Sequence, residues 1–455
     1  MLNLALALVL AGNLILGWSF TQFKAPSLGI PLGEFALLIG LLFLNTRASL
    51  REIGSVVRLL PILAWSGYTI GSAALFTSEY GLWALRDASQ AIDSLYLIVG
   101  YSFARRPIDV DRLFRWIPPM LAVAVVYACV GFAFKTEIIA VSPGVATEHG
   151  ETVPVFGIFN TAEVIIFWAA ACLIIRPPEK HASLAALAAG GLASYVIVVF
   201  QNRTAYMQLG ALLLLMCGLR RAAIRPLLSF APLLLIALIA IETLELRVPG
   251  RLTSQVSLSF FVDHVAAMVG ISDGSNAAIS AAASGVDQRM QWWTDLFERV
   301  TVDPPTLLTG LGYGFPLISF GNVAGIQVRE PHNSLMSVFA RSGLIGFGLW
   351  LWMHAELFHA SLKAFCRARA NSLPGLWQDR LLILLSFVIL VLIGSLGEDN
   401  MEKPYFAIPY YFVWGVILRI AFVLRSAPET GRGVTPRLLA GRDVVVQARC
   451  QDALR

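Results

Sequence analysis

The sequence predicts an all-α polytopic membrane protein with about twelve transmembrane helices, an expectation that rests on three observations. Charged residues make up 14% of the 455 positions and hydrophobic ones 57%, whereas soluble domains carry about 25% charge. Mean hydropathy is +0.71, and apolar runs of about 17–25 residues recur, the length at which a helix crosses a hydrocarbon core. The runs are continuous rather than alternating, which favours helices over barrel strands. A soluble enzyme of this length would need far more surface charge, and that class is excluded.

The first apolar window, roughly 2–20, follows Met1-Leu2-Asn3 with no basic flank and reads as a retained span, not a cleaved signal. Further windows fall near 30–46, 59–77, 87–104, 116–134, 156–175, 183–200, 204–219 and 226–243, then near 333–357, 381–397 and 405–424. The window at 87–104 is the weakest, because Arg86, Asp87 and Asp93 interrupt it. The loop near 46–58 carries Arg47, Arg51 and Arg58, and cationic charge recurs at every second connection after it. On this count 23 cationic side chains lie on one side, ten on the other, and Arg341 within a span. The positive-inside rule places the richer side and both termini in the cytoplasm.

The chain thus divides into helices one to nine (1–243), a large outer loop (244–332), helices ten to twelve (333–424) and a basic cytoplasmic tail (425–455). The net charge of +5 follows from this topology and calls for no nucleic acid. Cys129, Cys172, Cys217, Cys366 and Cys450 fall in spans or on the cytoplasmic side, so no disulfide framework is expected.

Within the outer loop, the small-residue stretch from Ser272 to Gly285 has no apolar periodicity and reads as a mobile loop. From Asp287 to Val300, Trp293, Leu296 and Val300 recur at helical spacing with Trp292 and Phe297 beside them, the pattern of an interfacial helix. Asp303-Pro304-Pro305 ends it, and Gly310-Leu311-Gly312-Tyr313-Gly314 follows as a turn whose backbone can approach a ligand or another helix closely.

No lysine follows a glycine, so there is no phosphate-binding P-loop, and no metal-ligand spacing is present. Neither a cofactor nor a metal is expected. What stands out is cationic charge on the outer side. Arg203, between two spans, reads equally as a ligand-binding cation or a snorkelling anchor. Arg289 opens the interfacial helix, where a solvated face is the plainer alternative. His332 follows Pro331 at the mouth of the tenth span and suits either an interfacial hydrogen bond or proton transfer.

If that helix starts near His332, Met336, Phe339, Gly343 and Gly346 share its face, and Arg341 lies nearly opposite. Gly343-Leu344-Ile345-Gly346 is expected to serve helix packing. Arg341 needs an anion, expected to be Glu163, Glu242 or Asp93, or else a lipid phosphate. Glu398, Asp399 and Glu402, with Lys403, form a last outer loop that either brings acid to the site or, more plainly, is solvated.

His332-Asn333 followed by Gly343 and Gly346, opening a span straight after the largest outer loop, resembles the signature of the O-antigen ligase and polymerase superfamily. Asn202-Arg203-Thr204-Ala205, Arg289 with Trp292-Trp293, Pro304-Pro305, and Leu308 through Phe315 fall in the order this family shows, over about 155–425. The resemblance implies a type-C-like, metal-independent glycosyltransferase in the bacterial inner membrane, active on the periplasmic face. Its donor would be an undecaprenyl-diphosphate-linked glycan, and its acceptor a glycan, lipid A core or protein. By the same resemblance Arg203 and Arg289 grip the diphosphate, and His332 orients or deprotonates the acceptor hydroxyl. Asn333, Glu330 and Arg341 stand as supporting residues. The alternative is a polysaccharide or lipid-glycan transporter or flippase. Such proteins bind near the midplane between repeated halves, whereas here the unusual polar residues gather toward one side.

Overall fold

A computed structural model describes residues 2–25, 29–147, 152–177, 180–200, 202–228, 230–245, 258, 261–262, 277–318, 329–370 and 375–426, with backbone alone for 107, 225–226, 277–286 and 375. Most of the expected large loop between 246 and 276, the segment 319–328 and the tail beyond 426 lie outside the described residues.

The architecture is all-α, apart from one ribbon pairing Gly144–Ala146 with Thr152–Pro154. Among the described residues, six helices are long and apolar enough to cross a membrane: Leu59–Tyr80, Ile108–Ala133, Ala182–Phe200, Ser334–Ala370, Leu376–Gly394 and Pro404–Ser426. Four shorter apolar helices, Leu2–Leu16, Ala162–Ile175, Arg203–Leu219 and Phe230–Thr243, lie beside them. The protein is therefore a multi-pass membrane protein whose solvent is the bilayer, and its exposed Leu8, Leu63, Leu75 and Leu214 face that solvent.

Pro404–Ser426 forms the centre and touches Leu2–Leu16, Thr46–Val56, Tyr96–Phe103, Ser334–Ala370 and Gly375–Gly394. Small residues permit its closest contact: a Cβ on Gly100 would overlap the Phe412 carbonyl, and one on Gly415 the Leu97 carbonyl. Backbones meeting this closely gain packing that lipid tails cannot supply.

Three expectations are corrected here. The connection at 46–58 is an amphipathic helix, Thr46–Val56, capped by Asn45 and bent 91° from Leu32–Phe43. Its Ser49 and Ile53 are buried against the core, a stripe too short to register beside its two arginines, Arg47 and Arg51. The window 87–104 is not one continuous helix but three, Leu82–Asp87, Ser89–Asp93 and Tyr96–Phe103, broken where its acids turn inward. The interfacial helix is longer than expected, Ala277–Val300, so 277–285 is helical and not a loop. Alanine is the strongest helix former, and a helix need not carry an apolar stripe to form.

Ser334–Ala370 spans about 55 Å at 1.5 Å per residue, and it breaks at Gly343 (φ 60°, ψ −163°). The break frees carbonyls that the glycine turn satisfies: Leu311 N–H donates to Ala340 O (2.7 Å) and Gly312 N–H to Arg341 O (3.1 Å). Gly310, Gly312 and Gly314 all have positive φ, and a Cβ on Gly310 would overlap the Arg341 backbone. The close approach expected of this turn is thus made to a helix.

Candidate functional site

Asn333 builds the entrance of the broken helix. Its Oδ1 accepts from Leu335 N–H (3.0 Å) and Met336 N–H (3.1 Å), so the helix starts at Ser334 and His332 stands just outside it. Expectations that place His332 on a continuous helical face with Gly343 and Gly346 fail on both counts, at the start and at the break. His332 has φ 52°, a left-handed conformation costing about 1–3 kcal/mol outside glycine. Trp293 Nε1 donates to Pro331 O (2.8 Å) and holds the preceding residue in place.

The imidazole Nδ1 lies 3.2 Å from Glu398 Oε2 and 3.5 Å from Asp399 Oδ1. Around the same carboxylates sit Lys403 Nζ, 2.6 Å from Asp399 and 3.8 Å from Glu398, and Arg289, whose two terminal nitrogens reach Gly397 O (2.7 Å) and Glu398 Oε1 (3.4 Å). The acidic loop is therefore not simply solvated; it forms the floor of the cluster. Trp292 flanks the imidazole, with ring centres 6.2 Å apart.

Arg203 reaches the cluster from a third element. Asn202 caps its helix through Thr204 N–H (3.0 Å) and donates to Glu163 Oε2 (3.2 Å). Thr204 packs so closely on Gly397 that a Cβ there would overlap its hydroxyl. Arg203 Nε is buried without a hydrogen-bond partner among the described residues, and Asp287, two residues before Arg289, supplies its nearest opposing charge. Arg289 and His332 thus contact Gly397 and Glu398 directly, and Arg203 lies beside them through Thr204 on Gly397, although 86 and 43 residues separate the three in sequence.

The electrostatics follow from these contacts. Hydrogen bonds to Asp399 and Glu398 push His332 up to about 9 against the cost of burial, so it carries a proton at neutral pH. Burial opposes charge on Glu398, yet the His332 hydrogen bond, Lys403 and Arg289 bring it down to about 2. Asp399, also opposed by burial, is held below the usual carboxylate range by Lys403 and His332. Glu402 behaves oppositely: burial, then the charges of Glu330 and Asp399, push it up to about 8.

Arg341 has other partners than the acids expected. It pairs with Asp87 (3.0 Å) and Glu330 (2.6 Å), and donates to Phe315 O (3.1 Å). Arg329 also reaches Asp87 (3.3 Å) and lies over the Trp83 ring. Glu163 instead accepts from Asn202, Glu242 accepts from Leu258 N–H, and Asp93 is buried beside Glu34. Sequence windows favour acids at membrane depth, whereas the pairing acids come from a broken segment and from the end of the loop. Glu330 and Arg341 therefore support the helix break instead of touching His332.

The metal-ligand spacings searched in sequence miss one group, because His332 and its acids are 66 residues apart: ligand atoms of His332, Glu398 and Asp399 lie within 4.8 Å of one another. Lys403 and Arg289 already neutralise these carboxylates, and an added cation would meet both at close range. The donor set therefore fits an anion better than a metal. In comparisons with known proteins, the chain matches no family model and no curated sequence.

Proposed function

We propose that the protein is a membrane glycosyltransferase that transfers or polymerises an undecaprenyl-diphosphate-linked glycan on the periplasmic face of the bacterial inner membrane, in the manner of O-antigen ligases and polymerases. The observation that carries this reading is the convergence of Arg203, Arg289 and His332 on one acidic loop. Three cations, His332, Arg289 and Lys403, share two carboxylates there, and Arg203 adds a fourth. A diphosphate fits that surplus, since arginine forks bind phosphate oxygens in pairs.

In the proposed step the acceptor hydroxyl attacks the anomeric carbon, the carbon–oxygen bond to the diphosphate breaks, and the leaving diphosphate departs onto Arg203 and Arg289. Glu398 and Asp399 hold Nδ1, so Nε2 faces the acceptor: the charged imidazolium that prevails at neutral pH donates to the hydroxyl and orients it, and the neutral fraction of His332 takes its proton at Nε2. Cleavage of the sugar–diphosphate bond drives the reaction, and no nucleotide or metal is needed. The finer topology belongs to the same proposal: twelve spans with both termini cytoplasmic. In its support, each of the twelve apolar windows carries helical backbone, and the three site cations gather near the ends of helices assigned to the outer side.

The test is glycan transfer by purified, reconstituted protein from an undecaprenyl-diphosphate glycan, comparing wild type with His332→Ala and Arg203→Ala. Product in wild type alone supports the assignment, a ladder marking a polymerase and one shifted acceptor band a ligase. Equal turnover in all three proteins overturns it. One observation favours the transporter reading: Asp93 is fully buried in a broken segment, with neither carboxylate oxygen hydrogen-bonded among the described residues. Donor movement across the bilayer without transfer to any acceptor would establish that reading instead.

A further inference from the structure

Beside the His332 cluster lies a small cavity lined by Trp65, Asp87, Gln90, Ser337, Arg341 and Glu402, among others. The room it leaves for the centre of a water molecule is about 10 Å³, and one water needs on the order of 10–15 Å³ by that measure. Four atoms of its lining residues are buried without a hydrogen-bond partner among the described residues: Trp65 Nε1, Gln90 Nε2, Arg341 Nε and Glu402 Oε1. Orphaned polar atoms are rare in folded proteins, each costing about 1–3 kcal/mol. Four around one water-sized space form a polar hydration site.

Glu402 connects this space to the reaction centre. Its Oε2 accepts from Ser334 Oγ (2.6 Å), and Ser334 in turn accepts from Met401 N–H (3.1 Å) at the start of the helix that His332 precedes. The charges facing Glu402 are Glu330 and Asp399, with Asp87 and Arg341 across the cavity and Lys403 adjacent in sequence. Gln90, from Ser89–Asp93, is uncharged, and Gly375–Gly394 and Pro404–Ser426 bring no charged side chain to this end. Among the described residues, no cation is hydrogen-bonded to Glu402.

We propose that the cavity holds one water, and that Glu402 is a neutral carboxylic acid that donates to this water from Oε1 and thereby sets the net charge of the His332 cluster. While Glu402 is neutral, three cations face two carboxylates and the cluster attracts an anion. Ionised, Glu402 lowers that surplus by one charge, with Arg203 the cation that remains in excess. Glu402 is thus a positioning residue whose proton governs donor binding, a role that rests on the diphosphate reading above; the hydration site and the neutral acid do not depend on it.

Difference infrared spectra of the full chain in vesicles, titrated from about pH 6 to about 10, test the acid directly. Wild type is expected to lose a protonated-carboxyl carbonyl band with a midpoint near 8, a loss missing in Glu402→Gln and kept in Glu402→Asp. The same loss in Glu402→Gln, or no such band in wild type, overturns the proposal. An experimental map with no density between Trp65 Nε1, Gln90 Nε2 and Glu402 Oε1 overturns the hydration site. In the transfer assay, wild-type KM for donor should rise about tenfold as pH passes the infrared midpoint, a rise absent in Glu402→Gln, whose KM should change only near pH 9 where His332 loses its proton. Parallel KM profiles overturn the charge-setting role. An infrared band that behaves as expected in protein without transferase activity would sink the glycosyltransferase reading alone.

Discussion

Two ionic clusters flank the start of the Ser334–Ala370 helix, and they are built differently. Around Arg341, two arginines meet two acids, and the Arg341 and Asp87 side chains are 3% and 4% exposed. Around His332, cations outnumber carboxylates, and the His332 and Arg289 side chains are 29% and 30% exposed. The closed, balanced cluster holds backbone in place: it ties the broken segment, the glycine turn and the helix break together. The open cluster, with a cation to spare and a strained histidine, has capacity left for a ligand. Charge balance and access, more than the presence of charge, separate scaffold from site.

Substitutions can break or sharpen that contrast. The largest effect is expected from His332→Ala, which should lower the transfer rate about 10²- to 10⁴-fold while costing no more than about 2 kcal/mol of stability in detergent; a rate within about threefold of wild type would remove His332 from the chemistry. Arg341→Met should do the reverse, destabilising by about 3–5 kcal/mol because Glu330 loses its counter-ion and Asp87 keeps only Arg329. Thermal unfolding and membrane abundance measure it, and a stable, inactive Arg341→Met protein would move Arg341 into the site.

The pH dependence comes next. Measured in Glu402→Gln, which lacks the donor-binding change near pH 8, a general-base His332 should make kcat/KM rise about tenfold per unit toward pH 9 and then level off; a fall over that range would instead make it a hydrogen-bond donor. Stability should move the opposite way. The folded pKa of about 9 exceeds the ordinary 6.5, so the His332 contribution is complete below 6.5 and lost as pH rises through 9. Glu402, raised from 4.5 to about 8, loses its contribution in the same direction. Subtracting the His332→Ala unfolding profile from wild type isolates the histidine, on the order of 2 kcal/mol. The smallest effect is expected from Gly343→Ala, which forces a Cβ onto the Leu308 and Gly310 backbone at φ 60° and should cost about 1–3 kcal/mol. A neutral result in thermal unfolding would show that the break relaxes freely.

The helical windows were legible in the sequence because lipid demands long apolar runs, and Arg203, Arg289 and His332 stood out as cations where the expected topology makes them uncommon. The elements that depend on breaks were not. Gly343 reads as packing, since an i, i+3 glycine pair looks alike in a straight helix and a kinked one. Glu398 and Asp399 read as solvated because nothing local says which way a four-charge loop folds. The partners of Arg341 lie 254 and 11 residues upstream, and only tertiary structure joins them. Glu402 and its cavity leave no mark in sequence, because an orphaned atom exists only once its surroundings are packed.

The bonds from Leu311 and Gly312 to the carbonyls at the helix break are made by main chain alone. The seat of this segment rests on backbone approach, so it tolerates no Cβ at Gly310, Gly312 or Gly314, where φ is positive and a neighbour lies within 2.5 Å of where the Cβ would stand. It also docks as a unit, because releasing either amide exposes a carbonyl that the kinked helix cannot satisfy itself. In hydrogen–deuterium exchange the Leu311 and Gly312 amides should therefore exchange together, as slowly as the membrane core and unlike the loop surface beside them.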